Sequence, residues 1–275
     1  MIPQRNLSLI ANGLKAANGQ RVLESVIERD YCLAWFLTGL ANHPLRKTLA
    51  FKGGTALRRC YFGDYRFSED LDFTMSEPAD LAAILKGLDE IFAAVEKDIG
   101  LKFTFDREDK NSHQNCHTFY IRYQGPLPAS NDVKVDITIK ELVCFPLKEV
   151  PVLKSYVLYE DLPEGPKLNA YDLSEIAIEK LAALTDKARN EPRDLYDIWY
   201  LLTYTDLDLF LLRQELQAKL EFRGRTLDGL EAVLSAKRER LKRLWDMRLS
   251  HQMSELPEFD GAFRNVHRAM RDAKL

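Results

Sequence analysis

Cysteine is scarce in this chain, and long apolar runs are missing. The 275 residues include four cysteines, and no two of them form a CxxC pair. Such wide spacing disfavours a disulfide framework or a zinc site, so we expect buried free thiols. The longest apolar stretches, such as Cys32–Leu40, fall well short of the roughly 20 residues that a membrane span needs. Met1–Gln20 also lacks the apolar run of a secretory signal, and we therefore expect a cytoplasmic protein with no membrane partner.

An excess of charge of one sign is missing as well. Lys and Arg number 39 against 42 Asp and Glu, which gives a formal net charge of −3, and 46% of the residues are hydrophobic. This composition is typical of a globular chain that forms one large domain or two smaller ones. It argues against a protein that coats nucleic acid generally, while a local basic patch stays open.

The five histidines include one close pair, His113 and His117. On a helix, this i,i+4 spacing could bind a metal ion. The segment Phe119–Tyr123 that follows alternates as a strand does. We therefore interpret the pair as loop or strand-edge histidines.

The hydrophobic period divides the chain into an α/β front and a helical back. Helices are predicted over Gln20–Asn42, Thr55–Tyr61 and Ala79–Val95, and strands over Leu49–Phe51, Arg66–Met75, Lys102–Asp106, His117–Arg122 and Asn131–Leu142. Phe145–Lys167 is rich in proline and has no clear period, and from Asp172 onward the pattern is almost wholly helical. The pattern predicts two domains, residues 1–165 and 166–275.

The most informative segment is the acidic stretch Arg66–Phe73. If it is a strand, its side chains alternate, so Ser68, Asp70 and Asp72 share one face. Two neighbouring carboxylates repel each other unless a cation lies between them, and paired carboxylates on a rigid strand can hold Mg²⁺ for nucleotidyl transfer. The alternative is an edge strand whose acidic residues face solvent.

Two further features accompany the acidic stretch. Gly53 and Gly54 form a turn between a strand and a helix that begins near Thr55. Glycine there lets the backbone approach a ligand, and a helix N-terminus attracts phosphate. Asp136 adds another strand carboxylate and shares its face with Lys134. Three strand carboxylates and a glycine turn in this order are the layout of a nucleotidyltransferase fold.

The run FKGGTALRRCYFGDYRFSEDLDF at Phe51–Phe73, with EIAIEKLAAL and RDLYDIWYL further along, resembles the AbiEii/AbiGii-type nucleotidyltransferase toxins of type IV toxin–antitoxin systems. These toxins belong to the DNA polymerase β-like nucleotidyltransferase superfamily. In the wider superfamily the glycine loop lies closer to the paired aspartates than Gly54 lies to Asp70 here, so the match is to the toxin branch. The resemblance implies an α/β (α+β) fold, a mixed sheet with flanking helices followed by a helical C-terminal domain.

The resemblance also implies roles for the residues of the front part. Asp70, Asp72 and Asp136 are expected to hold Mg²⁺. The backbone N–H groups of Gly53–Thr55 and the Ser68 hydroxyl are expected to hold the phosphates of an NTP substrate. An acceptor hydroxyl would then attack the α-phosphorus and release pyrophosphate.

Two helices of the back part carry a second group of candidates. Asp172 and Glu175 are predicted to form a capping box at the start of the first helix. In the family, a lysine of this helix meets the nucleotide triphosphate, and Lys180 is the residue that matches. Its position alone predicts only solvent exposure. Because the two helices are adjacent in the chain, Lys180, Arg189 and Asp194 are predicted to converge.

The second of these helices contains the run RDLYD. In the family the first aspartate of this run is the functional one, which points to Asp194 as a catalytic residue. Asp197 has the alternative of an ordinary ion pair with Arg193 or Arg189. The base or positioning group for the acceptor is then either Asp136 or Asp194.

The acceptor and the partners follow from the resemblance. Some family members add nucleotides to the 3′ end of tRNA, so tRNA or another RNA is the expected acceptor, and an antitoxin encoded nearby is the expected partner. The C-terminal helices also contain a basic stretch, Lys237, Arg238, Arg240, Lys242, Arg243 and Arg248. This stretch is either a solvated helix face or an RNA contact. The alternative functions are transfer to a small molecule or a protein, and a catalytically idle binding module.

Overall fold

The fold was obtained as a computed structural model, which describes residues 1–19, 21–110, 114–253 and 255–275. These residues form two compact units, one of residues 1–141 with 147–171 and one of residues 142–146 with 172–275. The long segment of the second unit begins after the predicted boundary at residue 165, because the strand Lys167–Ala170 belongs to the first unit.

The described part of the first unit is a mixed sheet with helices. The helical segments are α1 (Gln4–Asn18), α2 (Glu24–Ala41), a 3₁₀ turn (Pro44–Lys47), α3 (Gly53–Ala56), which continues as a π turn (Leu57–Tyr61), and α4 (Leu81–Ile99). The strands are β1 (Leu49–Lys52), β2 (Leu71–Met75), β3 (Lys102–Glu108), β4 (Cys116–Gln124), β5 (Asn131–Thr138), β6 (Lys148–Pro151) and β7 (Lys167–Ala170). They form a seven-stranded sheet in the order β3-β4-β5-β2-β1-β7-β6. Since β2 pairs parallel with β5 and antiparallel with β1, the predicted mixed sheet is confirmed.

The core of the first unit is built where α2 and α4 meet. Phe36 of α2 packs against Phe92 of α4, with ring centroids 6.3 Å apart. At Gly39 of α2, a Cβ atom would lie 2.8 Å from Ile91 and 2.9 Å from Val95. The two helices can approach this closely because glycine has no side chain there.

The second unit is helical, as the sequence pattern predicts. Its helices are α5 (Leu173–Leu184), α6 (Pro192–Tyr204), α7 (Arg213–Phe222), α8 (Leu230–Leu249) and α9 (Phe259–Asp272), with a 3₁₀ turn at Ser250–Gln252. Trp245 of α8 is buried among Tyr196 and Phe259, and its indole N–H donates a hydrogen bond of 2.9 Å to the Pro257 carbonyl. The buried face of α8 therefore joins α6 and α9 in one core.

Three elements are missed by the sequence pattern. α1 buries Leu7, Ile10 and Ala11. Its sequence is otherwise largely polar and no side chain caps its start, so the pattern does not indicate a helix there. β6 and β7 have four residues each, too few to show a period. The predicted strand over Asn131–Leu142 ends at Thr138.

The predicted capping box at the start of α5 is wrong in its second member. Asp172 does cap the helix, accepting a 2.8 Å hydrogen bond from a backbone N–H of the first turn. Glu175 is instead fully buried and accepts hydrogen bonds from the backbone N–H groups of Cys144 and Phe145, at 2.7 and 2.8 Å. Its other oxygen lies 2.6 Å from the Lys219 ammonium. Glu175 thus joins the segment 142–146 to the second unit.

The remaining predictions concern cysteine, histidine and the membrane. All four cysteines are free thiols, as predicted, with Cys32 and Cys60 buried and Cys116 and Cys144 partly exposed. His117 lies on β4, whereas His113 lies outside the described residues. Within the described part of the chain, no helix is both long and apolar enough to cross a membrane.

Candidate active site

Polar side chains form a row across four adjacent strands of the first unit. Asp72 of β2 lies directly opposite Asp136 of β5 on one side and Lys52 of β1 on the other. Thr118 of β4 lies opposite Asp136. Residues directly opposite each other point to the same face of a sheet. The register therefore brings together two of the three carboxylates predicted to hold a metal ion.

Asp136 is held by two neighbours on this face. The Thr118 hydroxyl donates a hydrogen bond of 2.6 Å to one carboxylate oxygen, and the Lys134 ammonium lies 2.7 Å from the other. Burial alone would lower the pKa of Lys134, but the carboxylates of Asp136 and Asp70 raise it above its ordinary value. The charge of Lys134 is therefore shared by two of the predicted metal ligands.

Lys134 and Lys52, like Thr118, are site residues to which the sequence assigns no role. Lys134 shares the face of Asp136 two residues away, and this period-2 spacing is a signal that the sequence does contain. The Lys52 ammonium donates a hydrogen bond of 3.2 Å to the Thr138 hydroxyl, and Lys52 directly precedes the glycine turn. Its place beside Asp72 depends on strand pairing and has no signal in the sequence.

The predicted strand over Arg66–Met75 is wrong in its first half. β2 begins at Leu71, and Arg66–Asp70 has no strand pairing. The segment is held by side chains instead, since the Thr55 hydroxyl donates a hydrogen bond of 2.5 Å to the Asp70 carbonyl. Strand alternation therefore does not place Asp70 on the same face as Asp72.

The glycine turn packs directly against the acidic segment. Gly53 has φ of +77°, and a Cβ atom there would lie 3.1 Å from both Cβ and Cγ of Asp72. At Gly54, a Cβ atom would lie 2.7 Å from the Arg66 guanidinium and 3.1 Å from the Ser68 hydroxyl. The structure thus brings Gly53, Gly54, Ser68 and Asp72 together, and the Asp72 side chain leaves no room for a Cβ atom at Gly53.

A buried ion cluster holds the segment that follows the glycine turn. Arg58 and Arg59 follow the turn, and their guanidinium groups lie 2.5 and 3.1 Å from the carboxylate of Asp30 on α2. Tyr159 donates a further hydrogen bond of 3.0 Å to Asp30. Burial alone would raise the pKa of Asp30, but the two guanidinium groups hold it below its ordinary value. The cluster fixes the π turn to α2, and with it the glycine turn.

The second unit contains the other group of predicted residues. The Lys180 ammonium lies 3.2 Å from Asp194 and 2.7 Å from Asp197, and the Arg189 guanidinium lies 2.6 Å from Asp194. Both aspartates are buried, with side-chain exposures of 1% and 0%, and Lys180 is 14% exposed. The convergence of Lys180, Arg189 and Asp194 is confirmed. The solvent exposure that position alone predicts for Lys180 is wrong, because two buried carboxylates hold its ammonium.

The loop that carries Arg189 is fixed by a buried lysine. Lys237 of α8 donates hydrogen bonds to the carbonyls of Leu184, Asp186 and Arg189, at 2.6 Å for the first and the last. Burial lowers the pKa of Lys237 to about 8. Lys237 therefore supports the Arg189 loop, and its assignment to a possible RNA-binding face is wrong.

The predicted residues fall into two sets. Asp70, Asp72, Asp136, Ser68 and the glycine turn belong to the first unit, and Lys180 and Asp194 belong to the second. Within the described ranges, no group of three or more His, Cys, Asp or Glu residues is arranged to hold a metal ion. Two in-register carboxylates nevertheless fit Mg²⁺, which proteins commonly hold through one or two carboxylates, with substrate phosphates and water completing the shell.

The chain is similar to known proteins in sequence profile and in fold. The family profile "Nucleotidyl transferase AbiEii toxin, Type IV TA system" matches residues 35–265. MenT4, a nucleotidyltransferase toxin from Mycobacterium tuberculosis H37Rv, is similar in fold with a TM-score of 0.63 and 19% identity, over 97% of this chain and 89% of that chain. A crystal structure described as a candidate nucleotidyltransferase from H. pylori has a TM-score of 0.57 and 17% identity, over 92% and 96%. No curated protein matches the chain significantly.

Proposed function

The chain belongs to the AbiEii nucleotidyltransferase toxin family of type IV toxin–antitoxin systems, and from this premise we propose that it transfers a nucleoside monophosphate from an NTP to the 3′ end of tRNA. The observation that carries the proposal is the in-register pair Asp72 and Asp136 beside the Gly53–Gly54 turn. Carboxylates next to a glycine turn suit a metal–triphosphate ligand better than an uncharged one.

The first unit supplies the groups for the metal ion and the phosphates. The in-register pair Asp72 and Asp136 would hold Mg²⁺, which when bound would offset the charge of the phosphates and polarise the phosphoryl oxygen. The backbone N–H groups of Gly53–Thr55 and the Ser68 hydroxyl donate hydrogen bonds to phosphate oxygens. The Thr55 hydroxyl already donates a hydrogen bond to the Asp70 carbonyl, so we assign it the role of holding the acidic segment.

The reaction is an in-line displacement at the α-phosphorus. The acceptor hydroxyl oxygen forms the new bond to this phosphorus, the bond to the bridging oxygen of the β-phosphate breaks, and pyrophosphate leaves with its electron pair. By the family resemblance, Lys180 offsets charge on the triphosphate. Asp136, whose side chain is 25% exposed, receives the proton of the acceptor hydroxyl.

Asp194 has a positioning role in this proposal. It is buried, one of its oxygens faces the Lys180 ammonium, and the other faces the Arg189 guanidinium. With a side chain that is 1% exposed, Asp194 is closed to an acceptor hydroxyl, whereas Asp136 is 25% exposed. Asp194 and Asp197 therefore hold Lys180 in place.

The biological setting follows from the family. Type IV toxin–antitoxin systems pair the toxin with a cognate antitoxin, and we expect one to be encoded nearby. NTPs and tRNA are cytoplasmic, so the proposed reaction takes place in the cytoplasm.

The test is to incubate the protein with each α-labelled NTP, Mg²⁺ and total RNA, and to find where the label goes. We expect label at the 3′ end of tRNA, and a loss of about 100-fold or more in Asp72→Asn, since one of the carboxylates proposed to hold the metal ion is lost. Asp89→Asn, the same change at an exposed position of α4, should match the wild type. Label in a small molecule or a protein, or activity unchanged in Asp72→Asn, would contradict the proposal.

A further inference from the structure

Three arginines of α8 line a groove on the second unit. The groove has a volume of about 470 Å³, and its walls include Arg240, Arg243 and Arg248 of α8 with Asn190 and Glu191 of the loop before α6. All three arginines are exposed. They lie on one flank of the helix, because positions 240, 243 and 248 fall within about half a turn of each other at 3.6 residues per turn.

The basic stretch predicted from the sequence is divided by the fold. Lys237 is buried against backbone carbonyls, and Arg238 and Lys242 lie 2.6 and 2.7 Å from the carboxylate of Asp260 on α9. By contrast, within the described ranges the structure assigns Arg240, Arg243 and Arg248 neither an ion pair nor a side-chain hydrogen bond. Half of the stretch is therefore engaged by the fold, and the other half, which has no ion pair among the residues that the structure describes, presents its charge to one groove.

Little in the groove offsets this charge. The acidic residue among its walls, Glu191, already pairs with Arg193 at 3.7 Å. Met247, also in the groove, is 63% exposed and offers an apolar surface between the guanidinium groups. A ligand for this groove is therefore an anion with an apolar part, such as a phosphate chain with attached sugars and bases.

The length of the groove selects among phosphate ligands. Eight residues of helix separate Arg240 from Arg248, which corresponds to about 12 Å along the axis. Guanidinium groups bind phosphate through paired hydrogen bonds, and three of them over this length suit successive phosphates of a chain rather than one phosphate.

The groove shares a loop with the Lys180 cluster. Asn190 and Glu191 line the groove, and in the same loop Arg189 reaches back to Asp194, which holds Lys180. A chain bound in the groove would thus run beside the loop that carries Arg189, which contacts the positioning residue Asp194.

From these observations we propose that the Arg240–Arg243–Arg248 groove binds the sugar-phosphate backbone of the acceptor RNA. This inference rests on the proposed function, since it assigns that reaction's acceptor to a surface. α9 provides a matched control, because Arg264, Arg268 and Arg271 are also exposed and line a separate groove of about 300 Å³.

The experiment compares two triple variants of the full chain. Binding of fluorescently labelled bulk tRNA is measured by anisotropy from low to high salt, and labelling of tRNA is measured as KM and kcat. For Arg240→Ala/Arg243→Ala/Arg248→Ala we expect at least about tenfold weaker binding and a log–log salt slope lower by about 2–3, since each lost phosphate contact removes about 0.7–0.9. KM for tRNA should rise with kcat retained. Arg264→Ala/Arg268→Ala/Arg271→Ala should bind as the wild type does.

Each of the other outcomes would overturn either the groove assignment or the proposed function. Wild-type affinity and salt slope in the α8 variant would overturn the groove assignment, and so would an equal loss in the α9 variant, which would indicate attraction by net charge alone. If the wild type binds tRNA through the α8 arginines but labels no RNA, the proposed function fails and the groove remains an RNA contact. The thermal midpoints of both variants should stay near that of the wild type, because all six residues are exposed.

Discussion

Replacing Gly53 by alanine should lower activity strongly with only a modest loss of stability. Gly53 has φ of +77° and Gly100, the C-cap of α4, has φ of +74°, so alanine meets nearly the same backbone strain at both positions. That strain is about 1–2 kcal/mol for a residue with a Cβ atom. The two positions differ in their surroundings. A Cβ atom at Gly100 has nothing within 4 Å, whereas at Gly53 it would collide with the Asp72 carboxylate.

The collision gives the expected size of the effect. Asp72 must move by about 1 Å to clear a methyl group, and a displacement of that size in a positioned group can cost about 100-fold in rate. We therefore expect Gly53→Ala to lose about 100-fold in NMP transfer. Both variants should lose about 1–2 kcal/mol in free energy of unfolding, plus a smaller packing cost at Gly53.

Urea denaturation followed by circular dichroism measures the stability of the two variants, and initial rates of labelled NMP transfer measure their activity. Gly100→Ala should keep the wild-type rate. Equal activity of Gly53→Ala and Gly100→Ala would show that the Asp72 carboxylate does not lie against the glycine turn. An equal loss of activity in both variants would show that backbone strain alone explains the loss.

Two further predictions concern buried charges. Asp30→Asn should lower the free energy of unfolding by about 3–5 kcal/mol at pH 7, because Arg58 and Arg59 stay buried without their carboxylate. The pKa of Asp30 is lower in the folded protein than in the unfolded chain, so its stabilisation is present above pH 3.8 and is lost as the pH falls through the lower folded value. The difference between wild type and Asp30→Asn in urea denaturation should therefore be constant from pH 5 to 8 and shrink in acid, and an acid-independent difference would contradict this. Lys237→Met should cost about 2–4 kcal/mol, since buried carbonyls lose their donor. In the wild type the pKa of Lys237 is about 8 in the folded protein, below its ordinary value of 10.5. Between these two pH values the unfolded chain binds more protons than the folded protein, so the free energy of unfolding rises with pH. This rise should be missing in Lys237→Met.

The elements that the sequence predicts well are those in which the hydrophobic pattern repeats several times. α4 and β5 appear close to their predicted positions because their apolar residues recur over several turns or pleats. The N-cap role of Asp172 is also local, since it depends on a hydrogen bond within one turn. Short elements such as β6 and β7 are missed, because four residues carry too little pattern.

Residues whose partners are distant in the chain are predicted poorly. Glu175 has the spacing of a capping box, but its partners, the backbone N–H groups of Cys144 and Phe145 and the Lys219 ammonium, come from other segments. Arg66–Asp70 alternates as a strand does, but a hydrogen bond from the Thr55 hydroxyl holds its end. In each case a tertiary contact is stronger than the local preference, and no local pattern contains it.

The residue types from Gly53 to Asp136 and their order are enough to indicate a nucleotidyltransferase and to name the candidates for its chemistry. The arrangement of these candidates follows from the fold, in which Asp72 lies beside Asp136 and two buried aspartates hold Lys180. The fold likewise leaves three of the six basic residues on α8 without an ion pair among the described residues. The physical reason is that strand register and helix packing are set by burial of side chains far apart in the chain, and a one-residue shift in register would turn every side chain to the other face.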